Sequence, residues 1–223
     1  MSEANKELRQ IIRSIKTYME SEKLFGVEDF YHESAETVKE SPSLTALERD
    51  VANCKLCPLH KTRKNPVFGQ GNTKARLVFV GEAPGRDEDA QGLPFVGRAG
   101  ELLTNIIKAM GLKRSDVYIC NVLKCRPPEN RQPLPEEIAA CRQYLEQQLA
   151  FIQPQVVCCL GKFACLVMLG EETPITKLRG KFYERAGMKV MPTFHPAYLL
   201  RNPEAKKLVW KDMQQIMKEL KRT

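Results

Sequence analysis

No run of eighteen apolar residues occurs anywhere in the chain, so no segment reads as a membrane-spanning helix. The opening residues, MSEANKELRQ, lack both the apolar stretch of a signal peptide and the Arg-rich pattern of a transit peptide. Low-complexity tracts are also missing, and with them any compositional reason to expect disorder. A cytoplasmic protein without a membrane partner is therefore expected. In a reducing compartment its eight cysteines are poor material for a disulfide framework, which turns attention to metal ligation for some and burial for the rest. Signatures of nucleotide loops are absent as well: there is no Gly-Lys-Ser/Thr ending and no dinucleotide fingerprint.

What is present fits one compact domain with a short appendage: 223 residues, 43% hydrophobic and 28% charged. The formal charge of +8 is unevenly spread. Residues 1–50 carry 7 Lys/Arg against 11 Asp/Glu, a net of −4, which leaves +12 for the body. A basic body suits a polyanion, because each cation that neutralises a phosphate releases counterions; a solubilising surface is the plainer alternative. Leu8, Ile12, Ile15 and Met19 recur at helical spacing, so a helix and then an acidic linker are expected over 1–42, ahead of a main domain over 43–223.

Short apolar strands are expected at 76–80, 117–122, 156–160 and 188–191, alternating with helices over 100–110, from Pro135 to about 149, over 162–169 and over 206–220. Fully apolar strands alternating with helices imply a small four-stranded parallel sheet covered on both faces, an α/β fold. Ligands bind at the carboxyl ends of such strands. After the first comes GEAPGRDEDAQGLPFVG, opening at Gly81, with four glycines, two prolines and four carboxylates. Its irregular backbone can present amides to a polar ring, and Phe95 within it is either a core plug or a platform for a flat ligand. After the second comes Asn121, whose amide carries both a donor and an acceptor, or else serves as a turn residue. After the fourth comes Thr193-Phe-His-Pro, where Pro196 prevents continued strand and holds His195 on a stiff turn.

Cys54-x2-Cys57 and Cys125-x15-Cys141 offer four thiolates, suited to zinc or to an iron–sulfur cluster; spacing alone does not choose. Cys120, Cys158, Cys159 and Cys165 fall within strands or helices and read as core.

Three segments, GEAPGRDEDAQGLPFVGRAG, NVLKCRPPENRQPLPEEIAAC and TFHPAYLLR, resemble in sequence and order the motifs of the family 4, iron–sulfur uracil-DNA glycosylases. The resemblance runs from about Leu44 onward. It implies a three-layer α/β/α sandwich, a [4Fe–4S] cluster on Cys54, Cys57, Cys125 and Cys141 with zinc as the lesser candidate, and hydrolysis of the N-glycosidic bond of deoxyuridine in single- and double-stranded DNA. By similarity Phe95 stacks on the flipped base, Asn121 reads its edge, His195 with the amides near Gly81, Glu82 and Ala83 stabilises the uracil anion, and Leu199 is the wedge. Arg201, Arg126 and Arg131 are implied contacts to the DNA backbone. The better-known uracil-DNA glycosylases have an Asp where this chain has Ala83, so Glu82 or Glu88 is the candidate to activate water. A monomer is expected, with replication or repair proteins open as further partners. Two other readings compete: a uracil-DNA binding protein that traps the sugar covalently through a loop histidine, and a non-enzymatic iron–sulfur or zinc module. The first needs a histidine that the Cys125–Cys141 loop lacks, and the second needs none of Gly81, Asn121 and His195.

Overall fold

The structure, a computed structural model, describes residues 43–170 and 172–222. The helix and linker expected over 1–42 lie outside the described residues. Among those described, six strands form one sheet: β1 (Gln70–Gly71), β2 (Leu77–Gly81), β3 (Tyr118–Asn121), β4 (Val156–Leu160), β5 (Tyr183–Arg185) and β6 (Met188–Thr193). Their spatial order is β1-β3-β2-β4-β6-β5. The inner four are parallel, as expected, while β1 and β5 pair antiparallel at the edges. The expectation of four strands is therefore corrected to six. The two edge strands escape an apolar-run search because they are short and half polar: Gln70 and Gly71 are exposed, and Tyr183–Arg185 offers no buried alternation.

Among the described residues eight α-helices accompany the sheet: α1 (Leu44–Asn53), α2 (Arg86–Gln91), α3 (Arg98–Ala109), α4 (Pro135–Ile152), α5 (Lys162–Leu169), α6 (Ile175–Leu178), α7 (Pro196–Arg201) and α8 (Lys206–Leu220). The strand side chains alternate between two cores. Val78, Val80, Cys120, Val157 and Cys159 face Leu47 and Val51 of α1, Leu145 of α4 and Cys165 of α5. Leu77, Phe79, Ile119, Val156 and Cys158 face Leu103 and Ile107 of α3, Leu199 of α7 and Met213 of α8. Two helical layers on one sheet make the α/β/α sandwich, and no helix among the described residues is long and apolar enough to cross a membrane.

Local chemistry sets the element ends that matter here. Pro135 opens α4 at its first position, and the Glu137 carboxylate reaches back to accept from the Leu134 amide at 2.9 Å, at the positive end of the dipole. The chain passes from β2 to β3 on one side and then crosses back to β4 on the other. Strand order thus reverses at β2, and the crevice that such a reversal opens lies at the carboxyl ends of β2 and its neighbours.

Candidate active site

A cavity of about 490 Å³ occupies that crevice, lined among others by Glu82, Ala83, Glu88, Phe95, Asn121, His195, Tyr198 and Arg201. Gly81 and Asn121, the last residues of β2 and β3, are paired across the sheet. A Cβ on Gly81 would collide with the Asn121 Oδ1 and come within 2.6 Å of the Phe95 ring, so only glycine lets the amide and the aromatic close on one space. Asn121 is buried, and its Oδ1 is the one buried side-chain oxygen or nitrogen among the described residues with no hydrogen-bond partner. An orphaned acceptor inside a protein costs about 1–3 kcal/mol, and a ligand N–H would repay it.

The Phe95 ring packs in the core beside Leu103 and Phe194 and also walls the cavity, 5.6 Å from the His195 ring at a 33° tilt. The backbone at Phe95 is left-handed, φ 53°, a strained position for a non-glycine residue. Arg114 donates to the carbonyls of Pro94 at 2.8 Å and of Phe95 at 3.2 Å and holds the turn in place.

His195 caps α7. Its Nδ1 accepts from the Ala197 amide at 3.1 Å, which puts the neutral ring's proton on Nε2. Burial, with Arg201 adding to it and Glu88 opposing, holds the imidazole pKa down to about 4, so the ring is a neutral donor at pH 7. Behind it, Thr193 donates to Asp212 of α8 at 2.6 Å, Asp212 is ion-paired with Arg179, and the Arg179 guanidinium lies 5.5 Å from the Phe194 ring centre. That buried network fixes the end of β6 from which the histidine turn springs.

The two candidate carboxylates separate cleanly. Glu88 accepts from the amides of Gly85 at 3.1 Å, Val96 at 3.0 Å and Gly97 at 3.0 Å, and so ties both ends of the glycine-rich loop together. The Glu82 carboxylate takes no hydrogen bond among the described residues, lines the cavity, and has its pKa raised by burial. The short helix α2, missed because glycine and proline dominate the segment, is what turns Glu88 inward.

Leu199 requires a correction. It is 1% exposed and packed in the core under α7, whereas its neighbours Tyr198 and Leu200 are 38% and 39% exposed. In a helix the three side chains fan out by about 100° each, so seating Leu199 inward turns its two neighbours toward solvent. Arg131 is also differently employed. Its guanidinium grips the buried Glu137 carboxylate through two hydrogen bonds, 2.9 and 2.6 Å, and so clasps the β3–α4 loop rather than standing free for a phosphate. Arg201 is exposed at the cavity rim, and Arg126 is half-buried with Nε on Asn130 at 2.8 Å.

The four candidate ligands converge from the end of α1 (Cys54), the turn that follows (Cys57), the loop after β3 (Cys125) and α4 (Cys141), all against the same core. Burial raises the pKa of the Cys57 and Cys125 thiols, and that of Cys141 up to about 11, and in each case neighbouring thiols of this set push further upward. Mutual influence of that kind means the sulfurs share one small region. Arg63 donates to the Cys125 Sγ at 3.0 Å and the Lys124 amide to the Cys141 Sγ at 3.3 Å. No three His, Cys, Asp or Glu side chains among the described residues are grouped as a single metal ion would hold them. The remaining four cysteines are buried in the two cores, as expected.

The strand ends of the parallel sheet thus bring together an unpartnered Asn121 Oδ1, an aromatic wall and a neutral imidazole donor. Comparison with known proteins identifies the family. The family model described as "Uracil DNA glycosylase superfamily" matches residues 68–218. A type-4 uracil-DNA glycosylase of Archaeoglobus fulgidus is 50% identical over 182 residues, 78% of this chain and 92% of that protein. One from Thermotoga maritima is 49% identical over 176 residues, 77% and 92% of the two chains, and a type-5 uracil-DNA glycosylase of Pyrobaculum aerophilum is 33% identical over 154 residues, 60% and 66%. The chain belongs to the uracil-DNA glycosylase superfamily and, within it, to the type-4 group.

Proposed function

We propose that this chain hydrolyses the N-glycosidic bond of deoxyuridine flipped out of DNA, releasing uracil and leaving an abasic site. The observation that carries the proposal is the unpartnered Oδ1 of Asn121, facing a cavity walled by Phe95 and His195. Uracil presents an N3–H donor and an O4 acceptor on one edge, and the Asn121 amide matches both. Cytosine presents an acceptor at N3 and a donor at C4, so the same amide meets it with two mismatches. A base inside a duplex is out of reach; extrusion costs a few kcal/mol, offset by stacking on Phe95 and by the amide contacts.

As the C1′–N1 bond breaks, its electron pair passes to the base, and negative charge grows on the uracil oxygens. The Nε2–H of His195 donates to O2 and is worth most at that stage, since the imidazole is neutral and already oriented. The proton from the water that adds to C1′ is assigned to Glu82, a reading supported by its desolvated carboxylate on the cavity wall. Glu88 organises the loop instead. Arg201 at the cavity rim and Arg126 in the adjoining groove serve as contacts for DNA phosphates, and Tyr198 or Leu200, in place of Leu199, supplies the apolar contact that fills the gap in the stack.

The donor set of four thiols brought to one region suits a [4Fe–4S] cluster. One zinc ion, which takes four thiolates at about 2.3 Å, is the lesser candidate. When bound, the cluster supplies a cross-link between the Cys54–Cys57 turn and the Cys125 to Cys141 segment. Purified protein incubated with uracil-containing single- and double-stranded oligonucleotides tests the whole proposal. Free uracil with alkali-labile sites is expected; an adduct surviving denaturation would point to covalent trapping, and neither product would overturn both.

A further inference from the structure

We propose that Arg114 is a positioning residue for base stacking: it fixes both backbone dihedrals of Phe95 and so stands the ring where a flipped base meets it. The proposal rests on the reading of the pocket given above.

Arg114 sits in a short turn ahead of β3 and is not among the residues that line the cavity. Its half-buried guanidinium reaches over to the Phe95 turn, donating from Nη2 to the Pro94 carbonyl at 2.8 Å and from Nη1 to the Phe95 carbonyl at 3.2 Å. Nη1 also donates to the Thr104 hydroxyl at 3.2 Å, and that hydroxyl donates in turn to the Gly100 carbonyl of α3 at 2.9 Å. No carboxylate among the described residues pairs with Arg114. Its charged donors go instead to neutral acceptors of the turn and of the helix that follows it.

The position of those two carbonyls gives the contact its meaning. They belong to the planar peptide units on either side of the Phe95 Cα, and the rotations of these two units are the φ and ψ of that residue. One guanidinium grips both, so neither dihedral turns without breaking a charge-assisted hydrogen bond. The conformation held is left-handed, φ 53°, which a phenylalanine disfavours and from which it would rotate if released. Relaxation to an ordinary negative φ would swing the Cβ and carry the ring off the cavity wall. Slack is small on both sides of the turn. A Cβ on Gly100 would lie 1.9 Å from the Phe95 carbonyl oxygen, so α3 backs the turn at close approach, and a Cβ on Gly81 would lie 2.6 Å from the ring itself. A rigid fork suits the task, since the single nitrogen of a lysine cannot reproduce two donors at a fixed spacing. A merely structural clasp predicts otherwise: its removal would lower Tm and leave base binding as it was.

The test is a double-mutant cycle in the full chain: Arg114→Met, Phe95→Ala and the two together, each read by Tm and by single-turnover release of uracil from a single-stranded oligonucleotide carrying one deoxyuridine. Stacking acts on the bound base before and during bond cleavage alike, so its loss raises KM more than it lowers kcat. Arg114→Met is expected to lower kcat/KM about tenfold, mainly through KM, and to cost less than about twofold where Phe95 is already alanine, because no ring is left to place. An unchanged kcat/KM in Arg114→Met overturns the proposal whatever happens to Tm, and so does a loss confined to kcat. An equal loss in both backgrounds overturns it as well, since Arg114 would then act through something other than Phe95. Should Arg114→Met fail to fold, Arg114→Lys keeps the charge without the fork and is expected to raise KM in the same direction; an unchanged KM there overturns the proposal. Should Phe95→Ala release no uracil, Phe95→Leu takes its place in the cycle. A wild type that releases no uracil, or a Phe95→Ala as active as the wild type, overturns the pocket reading itself, a result distinct from equal losses in the cycle.

Discussion

The loops that leave β2 and β3 form facing walls of one cavity but are held differently. The β2 loop, residues 82–97, has an internal hub, the single carboxylate of Glu88 that gathers three of its own amides, with Arg114, Lys64 and Asn65 adding ties from outside. The β3 loop, residues 122–134, is wired from outside, through Arg63 to Cys125, through Lys124 to α4, and through Arg131 to Glu137. The aromatic wall is therefore expected to survive the loss of the four-cysteine centre better than the base-reading wall. Metal content, α4 and specificity are expected to move together, with stacking left apart.

The most damaging way to probe this contrast is Cys141→Ala. It is expected to abolish the visible absorbance of the centre and lower Tm by about 10 °C or more, since losing a structural metal removes several kcal/mol. Unchanged absorbance and Tm would remove the outside support from the comparison. Next, His195→Ala is expected to lower kcat by about 10²–10³-fold with Tm nearly unchanged, as for removal of one oriented donor to a developing anion; single-turnover kinetics would show it. Leu199→Ala is expected to destabilise the fold by about 2–5 kcal/mol in urea, as a core truncation does, while Leu200→Ala should leave urea stability alone and weaken binding to uracil-containing duplex. The reverse result would restore Leu199 as the wedge. Glu88→Gln, which weakens the internal wiring of the β2 loop, is expected to cost about 1–3 kcal/mol and leave metal absorbance intact.

The smallest effect is one of pH. An unfolded histidine takes up its proton near pH 6.5, whereas His195 in the folded chain resists protonation down to about 4. Between those values the unfolded state binds more protons, so the His195 contribution to stability is present above pH 6.5 and is lost as pH falls through the window. Activity should decline over the lower part of the same range as the imidazole charges and Glu82, its carboxyl raised by burial, becomes protonated. Denaturation midpoints of His195→Asn across pH 4–7 should lack the wild-type slope.

The parallel sheet and its helices were legible in the sequence because fully buried strands leave unbroken apolar runs, as at Leu77–Val80 and Val156–Leu160, and because amphipathic helices such as Lys206–Leu220 keep their period. The edge strands were not, since half-polar hairpin residues carry no such run. The candidate site residues Gly81, Asn121 and His195 were legible because the first two end strands, the third follows two residues after β6, and all parallel strands end on one side. What stayed hidden depended on side-chain direction within a turn of helix. Leu199 and Leu200 are chemically alike and adjacent, and only the seating of α7 decides which faces outward. Similarly, three consecutive acidic residues, Asp87 to Asp89, look alike in the chain; only the fold of α2 gives Glu88 its three amides and buries Asp89 against the Lys64 amide.

The left-handed backbone at Phe95 sets the pocket at odds with the tolerance of the chain as a whole. A non-glycine residue in that region costs about 1–3 kcal/mol, and glycine there would relax the turn at once. A population of variants screened only for resistance to heat should drift toward glycine at this position and shed its wall in doing so, whereas one screened for uracil release should keep the ring and gather its stability elsewhere. Sequencing the survivors of the two screens would expose the price of that single dihedral angle without any structure being determined.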